Sequence, residues 1–249
     1  MNLQKAVAVV TGGTGGLGSR ICRALALKGV TVAVGYVQRQ TVAETVVEHI
    51  RQLGGHARAF QVDVTIPESV EALTARVVQE FGQIDIFVND AAYNKWIPYQ
   101  DLDALQMVDW TKILGVNLTG PFLCIKAVAP IMKRQGRGRI VNVSSVAGLT
   151  PTGSSIAYAV SKAALIHLTR CMAVALAPEV LVNCVAPGFM EGTRMTENLS
   201  PEYREKAKQG ALLKRATEKD DVADLVVEFC RTDSITGQTL AIDAGRVFH

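Results

Sequence analysis

The chain has 249 residues, of which 49% are apolar and 20% charged, with a net charge of +3 when the histidines are neutral. This composition supplies ample core for one large α/β domain and excludes a disordered chain; the spread of Lys and Arg along the sequence argues against a nucleic-acid partner. No signal-peptide pattern follows Met1, and no apolar run approaches the roughly 18 residues that cross a bilayer, so a cytoplasmic location without a membrane partner is expected.

In chain order, Lys5 to Val10 is apolar and β-branched and predicts a strand. A glycine run follows, then Leu17, Ile21 and Leu25 at helical spacing. Val30 to Val34 predicts the second strand, and a helix over 41–53 stops at Gly54-Gly55. Ala59 to Val62 is the third strand. Pro67 and Glu68 open a helix whose apolar face is Val70, Leu73, Val77 and Phe81 and which ends at Gly82. Ile84 to Val88 is the fourth strand, followed by a loop with Trp96 and Pro98. A long helix is expected over 108–135, irregular around Gly115 and Pro121. Arg139 to Val143, Leu181 to Val185 and Gln238 to Ile242 complete the strands. Between them lie helices at 155–177 and 219–230, and a polar, mobile-looking segment at 191–209. Strands alternating with helices predict an α/β fold: a Rossmann-type, doubly wound, seven-stranded parallel sheet with helices on both faces. With no linker or repeat, residues 1–249 read as a single domain. In such a sheet the ligand lies beyond the carboxyl ends of the strands.

The residues after the first strand are Thr11-Gly12-Gly13-Thr14-Gly15-Gly16-Leu17-Gly18. Glycines let a backbone turn tightly against a pyrophosphate, and the following helix offers unpaired N–H groups. The strand–loop–helix context makes Gly12, Thr14, Gly15, Gly16, Leu17 and Gly18 candidates for dinucleotide binding. The absence of a lysine after the last glycine argues against a nucleotide-hydrolysing loop. An acid at the end of the second strand would bind a ribose 2′-OH and repel a 2′-phosphate. Here Tyr36-Val37-Gln38-Arg39 holds none, and the next acid is Glu44. NADP(H) is therefore the favoured cofactor, with Tyr36 and Arg39 at the adenosine end and NAD(H) as the alternative.

Tyr158 and Lys162 are four apart on a helix and share a face. A phenol with an ordinary pKa of about 10 is a poor base near neutrality, and a nearby ammonium should lower that value. Ser145, at the end of a strand, can hydrogen-bond a substrate oxygen whose charge changes. This order resembles the short-chain dehydrogenase/reductase family, in its 3-oxoacyl reductase-like and carbonyl reductase-like branch. Thr11-Gly12 through Gly18 matches its glycine motif and Asp63-Val64 its adenine-binding pair. Asn89-Asp90-Ala91-Ala92 stands where the family has Asn-Asn-Ala-Gly. Gly115-Val116-Asn117-Leu118, Ser144-Ser145, Tyr158 with Lys162, Pro187-Gly188, Ile235 to Gln238 and Ile242 to Gly245 match the remainder. The resemblance implies a catalytic set of Asn117, Ser145, Tyr158 and Lys162. In it Lys162 also holds the nicotinamide ribose, and Asn117 is a helix kink supporting a water-linked proton path. It implies cofactor contacts from Asn89, Ala91, Tyr158, Lys162, Pro187, Gly188, Met190 and Thr193. The departures are Asp90 and Ala92, and Thr193, which comes one residue later than usual.

The implied reaction is hydride transfer between a nicotinamide and a small-molecule carbonyl or alcohol. The alternatives are a non-catalytic dinucleotide-binding regulator, a 3-oxoacyl-carrier-protein reductase, and a nucleotide-sugar epimerase or dehydratase, for which the chain is short. The pocket is expected from Tyr93, Asn94, Trp96, Ala147, Gly148 and a lid from Phe189 to about Tyr203. No arginine is placed to aim at a substrate carboxylate, Lys95 being the one nearby cation before the lid and Arg194 able to turn either way, so a neutral or hydrophobic ketone or a 3-oxoacyl ester is favoured over a small charged acid. A basic cluster, Lys133, Arg134, Arg137 and Arg139, leaves a carrier protein in play. Apolar residues on several faces of the two long helices, with the resemblance, imply a homotetramer or a dimer. The histidines (His49, His56, His167, His249) lack metal-ligand spacing, so no metal is expected, and they read as ordinary surface or core residues. Cys22, Cys124, Cys171, Cys184 and Cys230 read as buried, reduced thiols.

Overall fold

The computed structural model describes residues 1–248. His249 lies outside the described residues. The strands are β1 (Val7–Thr11), β2 (Thr31–Tyr36), β3 (Ala57–Gln61), β4 (Ile86–Asn89), β5 (Gly138–Val143), β6 (Val180–Pro187) and β7 (Thr239–Ile242). They form one sheet in the order β3-β2-β1-β4-β5-β6-β7, parallel at every pairing. The helices are α1 (Gly18–Ala26), α2 (Gln40–Gln52), α3 (Pro67–Phe81), α4 (Met107–Leu114), α5 (Gly120–Arg134), α6 (Ile156–Leu176), α7 (Pro201–Gln209) and α8 (Lys219–Arg231). The strand order reverses between β1 and β4, and open α/β sheets bind their ligands beyond the carboxyl ends of the strands at such a switch point.

Alternation along each strand supplies both faces of the sheet. Ala8 and Val10 of β1 pack with Ile21 and Leu25 of α1 and Val222 and Val226 of α8. Val7 and Val9 pack on the other side with Leu73 and Val77 of α3 and Ile125 and Val128 of α5. This two-sided burial is why the strands read as continuous apolar runs rather than alternating ones.

The structure refines four expectations. The helix foreseen over 108–135 is two helices, α4 and α5, joined by a π turn at Gly115–Thr119. The irregularity falls at Gly115, and Pro121 follows directly on the π turn, at the start of α5. The polar segment at 191–209 contains a helix, α7. Its start was written in Ser200-Pro201-Glu202: the Ser200 side chain accepts a hydrogen bond from Tyr203 N, with Pro in the first turn and Glu202 beside it. Cys171 is exposed on α6, unlike the four buried thiols, because it sits on the face turned away from the sheet. The basic cluster is divided among internal partners: Arg139 is buried and paired with Asp233, Arg137 pairs with Asp85 at 3.1 Å, and Lys133 donates to Ala175 O at 3.1 Å. The stretches Met107–Arg134 and Ile156–Leu176 are apolar enough, at mean hydropathy 1.4, to match a membrane span by length and composition. In the fold, the inner faces of α5 and α6 are the apolar layer over one side of the sheet.

Strand register places Asn89 opposite Asn142, where the two make a buried polar chain. Asn89 Nδ2 donates to Asn142 Oδ1 at 2.8 Å, Asn142 Nδ2 to Thr169 Oγ1 at 2.9 Å, and Thr169 Oγ1 to Leu165 O at 2.9 Å. The chain ties β4 to β5 and β5 to α6. Asn142→Ala leaves the buried Asn89 Nδ2 without its partner, removes one of the two hydrogen bonds of Thr169 Oγ1 and opens a void. It should lower the unfolding free energy by about 2–4 kcal/mol in urea titration. A change below about 0.5 kcal/mol, the range of an inert surface substitution, would show that the chain does not brace the sheet.

Candidate active site

The phosphate loop turns back on itself at the end of β1. Gly12 has φ +70°, and a Cβ there would lie 2.9 Å from the Ala91 backbone. Gly18 would drive a Cβ into Gly12 O and to 2.7 Å from Asp90 Oδ2. Both positions need glycine, one for its backbone angle and both for close approach. Gly15 N donates to Gly12 O at 2.8 Å, closing the turn around Thr14. At Leu17 the chain enters α1 with no side-chain cap and no acid in the first turn. Its leading N–H groups and positive dipole end fit an anion.

Residues named from the sequence gather around this loop. Tyr36 ends β2, and the exposed Arg39 leads into α2, with no carboxylate between them. The Asp63 carboxylate accepts from Thr65 N at 2.9 Å and Thr65 Oγ1 at 2.6 Å, so one oxygen shapes the turn before α3. Val64 is buried, with its side chain close against Gly120. Asn89 is buried, and its amide serves the Asn142 chain within the sheet. Thr11 Oγ1 receives Asp90 N at 3.2 Å and Ala91 N at 3.3 Å, so the strand β1 hydroxyl holds the turn after β4. Pro187 ends β6, and Gly188 N donates to Ile242 O of β7 at 2.9 Å. Beyond it, Thr193 turns its hydroxyl to Thr196 Oγ1 at 3.0 Å, and Thr196 Oγ1 reaches Met190 O at 2.9 Å. Gly16 packs against Gly192 and Thr193, which lays this segment on the phosphate loop.

The catalytic candidates stand at the same strand ends. Ser145 follows β5, and its Oγ accepts from Ala147 N at 3.2 Å. Ser155 caps α6 by accepting from Tyr158 N at 3.2 Å, which fixes Tyr158 in the first turn. One turn on, Lys162 is buried; its Nζ donates to Val143 O at 2.8 Å and lies 5.8 Å from the Tyr158 ring centre. Asn117 lies in the π turn, fully buried. Its Oδ1 accepts from Tyr93 N at 2.8 Å, while its Nδ2 donates to Tyr93 O at 2.9 Å and Ser161 Oγ at 3.0 Å. The kink therefore clasps the loop after β4.

One expectation is overturned. Lys162 was expected to lower the Tyr158 phenol, yet burial pushes that phenol up to about 12, the Ser145 hydroxyl opposing the rise and the Asp90 charge adding to it. The ammonium is committed to Val143 O, and burial itself pushes Lys162 down to about 8, with Asp90 and Cys184 opposing that fall. Dehydration outweighs attraction at this separation. Met195, inside the expected lid, brings its sulfur to 3.8 Å from Tyr158 Oη, and Tyr203 at the lid's end meets Trp96 edge to face at 5.3 Å; sequence reading named the segments but not these contacts. Both join segments remote in sequence, and no local pattern marks them.

Comparison with known proteins matches residues 6–204 to the short chain dehydrogenase family. The chain belongs to the short-chain dehydrogenase/reductase family. It is 39% identical over 246 residues to a 3-oxoacyl-[acyl-carrier-protein] reductase of Synechocystis sp., covering 97% of this chain and 96% of that one. It is 38% identical over 256 residues to the short-chain reductase protein NovJ of Streptomyces niveus, covering 98% and 94%. A solved dehydrogenase/reductase from Sinorhizobium meliloti 1021 superposes with TM-score 0.90 at 32% identity, covering 98% and 97%. The chain is thus an oxidoreductase acting on C=O and CH–OH groups, and its family uses a nicotinamide dinucleotide, which the uncapped α1 and the close-packed glycines fit.

The free protein should keep Tyr158 protonated well past neutrality. Tyrosinate absorbance, taken as wild type minus Tyr158→Phe, should rise with a midpoint of about 12. A tyrosinate forming near neutral pH in the absence of cofactor would contradict the dominance of burial over the Lys162 charge.

Proposed function

We propose that this chain interconverts a ketone, or the keto group of a 3-oxoacyl chain, and a secondary alcohol, using NADP(H), with Tyr158 as proton donor and acceptor. The nicotinamide, when bound, supplies or takes the hydride. The observation that carries the reading is the Tyr158 hydroxyl, fixed beside Ser145 and over buried Lys162 at the strand ends that hold the phosphate loop. In reduction, Tyr158 gives its proton to the substrate oxygen while Ser145 donates a hydrogen bond to the same atom. Lys162 favours the phenolate left behind and holds the ribose. Asn117 fixes the loop that borders the pocket. A non-catalytic dinucleotide-binding regulator would have no use for this set of four.

The pocket favours a neutral substrate. Tyr93, Tyr99, Trp110 and Met195 pack around Tyr158 with Ile113 and Ala147. Three cations near it have partners: Lys95 pairs with Asp109 at 2.6 Å, Lys112 lies 4.3 Å over the Tyr93 ring, and Arg204 donates to Glu197 O at 2.7 Å, while Arg194, next to Met195, is exposed. A carrier-linked 3-oxoacyl substrate is the second reading, favoured by the name of the Synechocystis relative. The internal pairing of Arg137 and Arg139 removes part of the basic surface a carrier would meet.

Exposed Met107, Val108 and Val174 on α4 and α6 support a homotetramer, or a dimer, through these helices. The expected location is the cytoplasm and the whole chain acts as one domain. A monomer at micromolar concentration by light scattering would refute the assembly.

Tyr158→Phe should reduce turnover by about 10²–10⁴-fold while fluorescence titration still shows cofactor binding. Near-normal turnover would sink the assignment. Arg39→Ala should weaken NADP(H) more than NAD(H), because only the former carries a phosphate for the guanidinium. Wild-type efficiency about tenfold better with NAD(H) would reverse the cofactor reading.

A further inference from the structure

Asp90 is the one departure from the family pattern that puts a charge into the site. It follows β4, where the family carries an amide, and its Oδ2 lies directly behind the phosphate loop. A Cβ on Gly18 would sit 2.7 Å from this oxygen and one on Gly15 would sit 4.0 Å from it. Its backbone N–H goes to Thr11 Oγ1, and among the described residues no donor serves its carboxyl oxygens. The carboxyl therefore occupies the positive end of α1, the same potential that a pyrophosphate would use from the other side of the loop.

We propose that Asp90 takes up a proton when the dinucleotide binds, so that cofactor affinity is linked to pH through a carboxyl behind the phosphate loop. The inference rests on the nicotinamide-dinucleotide reading of that loop. Two anions separated by one layer of backbone repel, and protonating Asp90 removes the repulsion without moving any atom of the loop. The balance is one proton from solvent added to the Asp90 carboxylate as the complex forms.

The surroundings leave the carboxyl able to make this change. The titratable groups facing it are Lys162 and Tyr158 on α6 and the Cys22 thiol on α1; β1 offers only the Thr11 hydroxyl, and the loop itself only glycines, Thr14 and Leu17. Lys162 is the sole cation among them, and its Nζ is donated to Val143 O rather than to Asp90. Burial pushes the Asp90 carboxyl up to about 7, with Lys162 opposing the rise. An arriving pyrophosphate pushes it higher. The sign follows: below pH 7 the site is already protonated and binding is tight, and above it each binding event must draw a proton, so affinity falls as pH rises.

Isothermal titration calorimetry at pH 7 in buffers of different ionisation enthalpy counts the protons, using NADPH and also NADH, which lacks the titrating 2′-phosphate. The wild type should take up about half a proton with either cofactor, and its Kd should rise on the order of tenfold between pH 7 and 8.5. Asp90→Asn should lose that uptake and bind more tightly at pH 8. Lys162 cannot imitate this loss, because removing the Asp90 charge lowers the Lys162 pKa and would increase any uptake by the lysine near pH 7. No proton uptake in the wild type, or undiminished uptake in Asp90→Asn, overturns the proposal. The wild-type count can overturn it alone, and Asp90→Ala is measured in the same way if the asparagine variant does not fold. Failure of either dinucleotide to bind the wild type would instead overturn the cofactor reading.

Discussion

The first turns of α6 are fastened to the carboxyl end of β5, and the rest of the site takes its position from that junction. Ser144 Oγ donates to Lys162 O at 2.8 Å, and Lys162 Nζ returns to Val143 O at 2.8 Å. Gly148 brings the turn between them so close that a Cβ would lie 2.6 Å from the Lys162 carbonyl carbon. Ser155 then starts the helix at a fixed point. With these four contacts, Tyr158, Lys162 and Ser145 hold their mutual geometry before any ligand arrives. Such preorganisation is what lets a site stabilise changing charge without rearranging at the moment of reaction.

Dryness sets the electrostatics within that geometry. The apolar wall around Tyr158 raises its phenol, and the same burial lowers Lys162 and raises Asp90. All three shifts favour the neutral form of each group, as desolvation requires. A protonated phenol is the form that can give a proton to a carbonyl oxygen, so under the proposed role of Tyr158 its raised pKa suits reduction. Alcohol oxidation needs the phenolate and should gain as pH rises. The sulfur of Met195, 3.8 Å from the hydroxyl, contributes to this dryness.

Much of this was legible in the sequence because the signals are local. A strand, a glycine run and a helix in succession announce the phosphate loop, and four-residue spacing places Tyr158 and Lys162 on one face. All seven strands appear in the sheet as read. What sequence could not supply depends on contacts between distant segments. The pairing of Asn89 with Asn142, the clasp of Asn117 on Tyr93, and Met195 over Tyr158 join residues 24 to 53 positions apart. The direction of the Tyr158 shift differs from the expectation for the same reason: spacing on a helix gives a shared face, but not the burial by distant segments that raises the phenol. The helix α7 is a different case, since Ser200-Pro201-Glu202 announced it and the polar composition concealed it.

The most direct measurement follows the transferred hydrogen itself. Reduced NADP carrying deuterium at nicotinamide C4, on each face in turn, is mixed with a panel of neutral aryl and alkyl ketones, and the product alcohols are weighed by mass spectrometry. If this chain reduces ketones by hydride transfer, one of the two labelled cofactors delivers its deuterium to the carbinol carbon, and cofactor consumption slows with that label. Alcohol formed without deuterium from either face, or no consumption of cofactor with any neutral or 3-oxoacyl ketone, would contradict it.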